Sequence, residues 1–195
     1  MAAERDEAAR AAWRDEAAAL DPADLVFLDE TAARIAMTPR YARAPRGTRV
    51  QGAVPRNHGQ NTTLLAALSA EGVGPVMALD GAADGPAFVA YVREFLAPTL
   101  RPGQVVVLDN LAVHKAAEAR ALVEARGCTL LFLPAYSPDL NPIELAFAKL
   151  KEALRRAGAR TKAALEAAIA RALDAITARD ARGWFAARGY RQEEA

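Results

Sequence analysis

Five short apolar runs constrain the fold of this chain more than any other feature of its sequence. Each run is bounded by turn-forming residues and has the length of a buried strand rather than that of a buried helix. Because a Glu71-Gly72 turn joins the second run to the third, these two are predicted to pair as antiparallel strands. The runs are LVFLDE (25–30), NTTLLAALSA (61–70), GPVMALDG (74–81), QVVVLDN (104–110) and CTLLFLP (128–134).

The later runs are separated by segments with helical spacing of apolar residues, at 84–97 and 114–127. Strands that are joined through a helix need a crossover connection and pair in parallel. Gly127 is the expected C-terminal cap of the second of these helices. The sequence therefore predicts an α/β fold, in which a mixed sheet is flanked by helices.

Outside the sheet, most segments are predicted to be helical. Residues 1–20 are rich in alanine and charge, which favours a helix or a frayed leader that ends at Asp21-Pro22. Prolines and glycines interrupt residues 31–61 and predict irregular hairpins there. Two further helices are predicted at 142–156 and 162–177. The predicted division is a leader at 1–23, an α/β domain at 24–158 and a helical extension at 159–195.

Composition argues against several classes of protein. The 195 residues include one cysteine, Cys128, and two histidines, His58 and His114, which disfavours both a disulfide framework and a structural zinc site. No apolar run reaches the roughly 18 residues that a membrane span requires, and the charged start does not resemble a signal peptide. These features predict a cytoplasmic protein that does not enter a membrane.

The net charge of +1 conceals two cationic regions. Residues 31–70 contain six arginines and no acid, and residues 149–162 contain six cations against Glu152. Clustered cations predict a surface that binds a polyanion, although composition leaves open that these are ordinary solvated side chains. The candidate contacts to a nucleic acid are Arg34, Arg40, Arg43, Arg46, Arg49, Arg56, Lys149 and Lys151.

Three carboxylates lie at the ends of predicted elements. Asp29 and Asp109 each follow a buried apolar run, and Glu144 lies at the start of the helix after the last run. Adjacent central strands can bring such residues together, because strand ends are where distant parts of an α/β chain converge. Clustered carboxylates repel each other unless a hard cation such as Mg²⁺ binds them. Two such ions, about 3.5–4 Å apart, can hold the attacking and leaving oxygens of a phosphodiester.

Each acid also has a purely structural interpretation. Asp29 and Asp109 can end their strands as turn residues. Glu144 can complete a capping box, with Asn141 as the N-cap and Pro142 at the first helical position. Local sequence leaves both interpretations open.

Three motifs resemble those of a known family. The segments LDE, VVLDNLAVHK and LPAYSPDLNPIELAFAKLK are similar to the catalytic domain of mariner-like bacterial insertion-sequence transposases, which are DDE superfamily endonucleases. The resemblance covers residues 24–156 and includes the 34 residues between the second and third acids. It implies a ribonuclease-H-like fold. One departure is Phe147, where many relatives carry a tryptophan.

The resemblance also implies roles for individual residues. The catalytic and metal-binding acids would be Asp29, Asp109 and Glu144, and the cofactor would be Mg²⁺ or Mn²⁺, bound as two ions. Four more residues would orient ligands or DNA. Asn141 would do so by capping the helix that carries Glu144, and the other three, Glu30, Asn110 and His114, fall on motif positions.

The implied function is metal-dependent cleavage and transfer of DNA strands. The partners would be double-stranded transposon ends and target DNA, bound by a homo-oligomer, expected to be a dimer, near the bacterial nucleoid. Full-length relatives have an N-terminal helix-turn-helix region that reads the transposon ends, whereas 24 residues precede the first predicted strand here. The expectation is that a separate reading frame supplies that region, or that the chain is a truncated remnant.

Other functions stay possible at this level. One is another ribonuclease-H-like nuclease, which the SPDLNPIE element argues against. A phosphatase would need Asp-x-Asp after the first strand, where this chain has Asp29-Glu30-Thr31. From a different class, a non-catalytic DNA-binding fragment could regulate transposition by mixed oligomerisation.

Overall fold

The apolar runs pair into one mixed sheet. The structure is a computed structural model, and it describes residues 5–110 and 116–191. Within these ranges the strands are β1 Leu25–Ala33, β2 Thr62–Ser69, β3 Gly72–Asp80, β4 Val105–Leu108 and β5 Thr129–Phe132. Their order in the sheet is β3-β2-β1-β4-β5. The first strand pairs antiparallel with the second and parallel with the fourth, and the fourth pairs parallel with the fifth.

Helices cover both faces of the sheet because the strands are apolar on both faces. Leu25 and Phe27 of β1 share a core with one group of helices, and Val26 and Leu28 share a core with another. The helices are α1 Glu7–Ala18, α2 Gly85–Tyr91, α3 Ala117–Glu124, α4 Ile143–Ala157, α5 Lys162–Asp174 and α6 Ala178–Ala187. The first face is covered by α1, α4, α5 and α6, and the second by α2 and α3. The predicted α/β arrangement is confirmed.

The irregular segment between β1 and β2 differs from its prediction. The first strand continues to Ala33, and residues 34–61 then contain turns but no strand. The prediction of hairpins in this segment is therefore wrong. Pro39, Pro45 and Pro55 give a physical reason, because proline has no backbone N–H to donate to a strand ladder.

Two helix predictions also change in detail. The helix that begins at Gly85 continues past Tyr91 as a π-helical turn and then a 3-10 turn that ends at Thr99. The helix predicted to end at Gly127 ends at Glu124, and Gly127 lies in the following turn with φ +73°. Each end still lies within a few residues of its proline or glycine signal.

The C-terminal region forms two helices instead of one. Thr177 and Asp180 make a reciprocal capping box that begins α6, a signal that the sequence prediction missed. From this region Phe185 and Tyr190 pack on Phe27 of the central strand, with ring centroids 5.3 and 4.9 Å from it. The C-terminal helices therefore share a core with the sheet, while the predicted three-part division stays a prediction.

None of the helices within the described residues is both long enough and apolar enough to span a lipid bilayer.

Candidate active site

The central strands place two of the predicted acids side by side. Leu28 of β1 is the register partner of Leu108 of β4 in a parallel pair. The next residues along the two strands are Asp29 and Asp109, so both acids lie at the same edge of the sheet. Asp29 is 8% exposed and Asp109 is half-buried. Strand register, which local sequence does not specify, makes these two acids neighbours.

The third acid reaches the same place from the helix after β5. Glu144 lies in the first turn of α4 and is half-buried. All three acids line one pocket of about 370 Å³, together with Asn110, Asn141 and the loop residues Leu133 to Pro138. The structure thus brings together all three of the acids that the sequence indicated.

Asp29 is held by two hydrogen bonds. The backbone N–H of Glu30 donates to its Oδ1 at 2.8 Å, and Nδ2 of Asn141 donates to its Oδ2 at 3.0 Å. Burial raises the pKa of the Asp29 carboxyl to about 7, and the nearby charges of Asp109 and Glu144 add to this effect. Without a cation, a fully ionised cluster is therefore unfavourable.

The Asn141 side chain contacts both the start of α4 and Asp29. The Asn141 backbone is extended and Pro142 is helical, and the Asn141 Oδ1 accepts from the Ile143 N–H at 3.4 Å, which is a long N-cap hydrogen bond. The Asn141 Nδ2 donates to Asp29, and the side chain is 2% exposed. A buried carboxylate needs such a donor. The predicted capping contact is therefore present, and the same amide also orients Asp29.

Glu144 does not complete a capping box, because the backbone N–H of Asn141 donates to the Pro138 carbonyl at 3.1 Å. Within the described ranges, its carboxylate has no hydrogen-bonding partner, and it lines the pocket instead. A carboxylate in the first helical turn also benefits from the positive end of the helix dipole. Its two oxygens are thus available to a ligand in the pocket.

The donor set suits a hard divalent cation. Asp29, Asp109 and Glu144 offer only carboxylate oxygens, the ligands that Mg²⁺ prefers. In the described part of the chain, no group of three or more His, Cys, Asp or Glu side chains is already arranged to hold a metal ion. The residues fit such an ion by their chemistry and by their common pocket.

We predict that Asn141→Ala weakens the binding of Mn²⁺ to the pocket by on the order of 10-fold or more, because the Asp29 carboxylate loses the donor that orients it. Calorimetric titration with Mn²⁺ measures this change. Thr177→Ala is the matched control, since Thr177 caps α6 without lining the pocket and loss of that cap costs about 1 kcal/mol of stability. Equal Mn²⁺ affinity in the two variants would show that Asn141 does not orient a ligand.

The other predicted residues near the acids have different outcomes. Asn110 is exposed and lines the pocket. Glu30 is half-buried on β1 outside the pocket lining, and its backbone N–H contacts Asp29. His114 lies outside the described residues. The roles of these residues stay predictions.

The six arginines of the segment 34–61 are all exposed. They lie on the chain that leaves β1 a few residues after Asp29. Arg160, from the loop after α4, donates to the backbone carbonyls of Ile35 and Met37 at 3.0 Å and anchors the start of this segment. Contact between these exposed guanidinium groups and DNA stays a prediction.

The two lysines of α4 differ from these arginines. Lys149 donates to Asp180 Oδ2 at 2.8 Å and to the carbonyl of Ala175 at 3.1 Å, and so ties α4 to the start of α6. Lys151 is half-buried on the same helix. A structural role thus accounts for the position of Lys149, and DNA contact by either lysine stays a prediction.

Sequence reasoning missed part of the pocket wall. Tyr136 lines the pocket, is 58% exposed and has φ +56°, a conformation that residues other than glycine adopt rarely. Its position in the short loop between β5 and α4 was the available signal, since loops at strand ends build sites in α/β folds.

The strand order and the acids at the edge of β1 and β4 define a ribonuclease-H-like fold with a three-carboxylate site. The family model described as DDE superfamily endonuclease matches residues 24–166. The chain therefore belongs to the DDE superfamily endonuclease family. No curated protein is similar enough in sequence to count as a match.

Solved structures show the same fold. The crystal structure of the mariner Mos1 paired end complex with Mg aligns with a TM-score of 0.72 at 18% identity, over 94% of this chain and 58% of that chain. The Mos1 strand transfer complex aligns at 0.69 and 18% identity, over 95% and 57%. The isolated catalytic domain of Mos1 mariner transposase aligns at 0.63 and 16% identity, over 94% and 85%.

These alignments confirm the predicted ribonuclease-H-like fold and the likeness to mariner transposases. The chain spans less than two thirds of the proteins in the Mos1 complexes and most of the isolated catalytic domain. Bacterial origin stays a prediction.

Proposed function

We propose that this chain is the catalytic domain of a transposase that cleaves DNA strands and transfers them to a target. The observation that carries the proposal is the convergence of Asp29, Asp109 and Glu144 on one pocket. Membership of the DDE superfamily endonuclease family supports it. The Mos1 structures that share the fold include a paired end complex with Mg, one with Mn and a strand transfer complex.

In this proposal the three acids hold divalent ions, Mg²⁺ or Mn²⁺, and two ions are expected. When bound, such ions activate the attacking oxygen and stabilise the charge on the leaving oxygen of a phosphodiester. Asn141 and the Glu30 N–H fix the orientation of the Asp29 carboxylate before the DNA arrives. The loop from Pro134 to Pro138 bounds the space in which the phosphodiester lies.

The partners would be transposon-end DNA and target DNA. Exposed arginines on the segment that follows β1 would supply phosphate contacts. A homodimer is the expected active form, and a separate helix-turn-helix protein would supply recognition of the transposon ends.

A strand-specific cleavage assay tests the proposal. The full chain is incubated with labelled duplexes that carry candidate ends, with Mg²⁺, with Mn²⁺ and with EDTA. The proposal expects nicks at the ends that require a metal ion, and joining of pre-cleaved ends to a second duplex. DNA binding without cleavage under any metal condition would favour a regulatory fragment. Cleavage of RNA in hybrids would favour another nuclease of the same fold.

We predict that this chain alone binds duplex DNA weakly and with little sequence preference, because phosphate contacts carry no direct sequence information. Replacing Arg43, Arg46 and Arg49 with alanine should weaken binding to all duplexes alike. Each lost phosphate contact should reduce the slope of log affinity against log salt by roughly 0.9. Titrations of two unrelated duplexes at several salt concentrations measure both effects.

A charge-matched control separates local contacts from overall charge. Arg101, Arg120 and Arg126 are also exposed, and the first two form ion pairs with Glu71 and Glu124 on other surfaces. Their replacement by alanine removes the same formal charge and should leave the salt slope nearly unchanged. Equal slopes in the two triple variants would show that the arginine-rich segment makes no dedicated contacts.

A further inference from the structure

Helix α1 buries two side chains, and both are linked to the loop that leads to Glu144. Arg10 is 0% exposed and Trp13 is 5% exposed, whereas most of the helix faces solvent. Trp13 belongs to the core on the first face of the sheet, which accounts for the docking of the helix. Core formation does not explain the burial of the charged Arg10, so the partners of Arg10 are informative.

Arg10 binds the carboxylate of Asp139 through both terminal nitrogens of its guanidinium group. Its Nη1 donates to Oδ1 at 3.1 Å and its Nη2 donates to Oδ2 at 2.7 Å. Arg5 adds a bond to the same Oδ2 at 2.9 Å, and Glu7 forms ion pairs with both arginines. The hydrogen bonds from Arg10 lower the pKa of Asp139. A bidentate Arg–carboxylate pair fixes direction as well as distance.

Trp13 holds the neighbouring residue of the loop through Tyr190. Its Nε1 donates to the Tyr190 hydroxyl at 3.1 Å, and that hydroxyl donates to the carbonyl of Leu140 at 2.8 Å. These hydrogen bonds are buried. Side chains from near both ends of the described chain thus fix two consecutive residues, Asp139 and Leu140.

The residue after these two is Asn141, which donates to Asp29, and Glu144 follows three positions later. The Pro138–Leu140 turn is a single 3-10 turn, so a shift of its backbone is passed directly to Asn141. A buried arginine costs desolvation that an apolar residue would avoid, so the Arg10–Asp139 pair is weak evidence for a gain in stability.

We propose that α1 is a positioning element of the active site, and that Arg10, through Asp139, holds the Pro138–Leu140 turn so that Asn141 and Glu144 meet Asp29 and the metal ions. The inference rests on the proposed function for the metal ions and extends the site to a helix outside the matched family region, residues 24–166. Arg10 touches none of the reacting atoms and acts through the loop.

The test uses the full-length Arg10→Met variant, which keeps the aliphatic bulk of the side chain and removes the guanidinium. Asp139 is left 44% exposed on its side chain and can be hydrated, so the variant is expected to fold. Two quantities are measured without DNA, namely Mn²⁺ affinity by calorimetry and hydrogen exchange of the backbone amides at 136–141. The proposal expects a roughly 10-fold loss of Mn²⁺ affinity and faster exchange in this loop.

Leu165→Ala is the control for a purely structural effect. Leu165 is a buried residue of α5 in the same core that does not line the pocket, so this variant should lose stability but keep Mn²⁺ affinity and loop protection. Asp139→Asn should reproduce the effect of Arg10→Met, and the double variant should lose no more than either single variant.

Three outcomes would overturn the proposal. One is an Arg10→Met variant with unchanged Mn²⁺ affinity and unchanged loop exchange. Another is a Leu165→Ala variant with the same losses, and the third is additive losses in the double variant. If the wild-type chain bound no Mn²⁺, the proposed function would fail, whereas faster loop exchange in Arg10→Met would still support the positioning contact.

Discussion

Asp29→Asn, Asp109→Asn and Glu144→Gln are each expected to abolish metal-dependent DNA cleavage while the fold is retained. Each substitution keeps the size of the side chain and removes one charged ligand from the common pocket. Loss of a residue that only orients a ligand costs about 10–100-fold, so loss of a ligand should cost more. Cleavage of an end-labelled duplex under single-turnover conditions measures the rate, and circular dichroism checks the fold.

Asp80→Asn is the matched control for these variants. Asp80 ends β3, forms an ion pair with Lys162 and does not line the pocket, so its replacement should leave the cleavage rate nearly unchanged. Near-normal cleavage by two of the three pocket variants would show that the active site has been assigned to the wrong residues.

The second large expected effect is a loss of stability of the metal-free protein as the pH rises. The pKa of Asp29 is raised from 3.8 to about 7 in the folded, metal-free protein, mainly by burial. Between these two values the folded state binds more protons than the unfolded state, so its stability falls as the pH rises. Above pH 7 the full loss is present. It should amount to a few kcal/mol, because one pKa unit corresponds to about 1.4 kcal/mol.

Urea unfolding in EDTA at pH 5 and pH 8 measures this effect. Between pH 5 and pH 8, Asp29→Asn should lose less stability than the wild type, because asparagine does not ionise. The difference between the two proteins gives the contribution of Asp29 separately from that of other titrating groups. Mg²⁺ at 100 times its dissociation constant should restore about 2.7 kcal/mol to the wild type at pH 8. An identical pH dependence of stability in both proteins would show that folding does not raise the pKa of Asp29.

Local sequence predicted the strands and the three acids for a physical reason. A buried strand in an α/β sheet is a short apolar run, and its end is marked by the first polar residue. The runs that end at Asp29 and Asp109 carry both signals, and the Asn-Pro-x-Glu start of α4 marks a helix beginning at the same level. Prolines likewise indicated that the segment after β1 is irregular, although not that it lacks strands.

Other features depend on contacts between distant residues. The placement of β1 between β2 and β4 makes Asp29 and Asp109 neighbours, and strand order is a property of the whole sheet. The pairing of Arg10 with Asp139 joins residues that are 129 positions apart. A charged residue on a helix with an exposed face has the sequence pattern of a solvated residue, so nothing local reveals its burial.

Asn141 shows most directly which contacts local sequence predicts and which it does not. The residues Asn-Pro-x-Glu at 141–144 determined that a helix starts here and that Glu144 lies in its first turn, because these preferences arise from backbone geometry within a few residues. The Oδ1 of Asn141 accepts from the Ile143 N–H at the start of this helix, as the local sequence predicted. Only the tertiary structure decided where its Nδ2 donates, because the fold buries Asp29 within 3.0 Å of Asn141 Nδ2 and a buried carboxylate is costly without a donor.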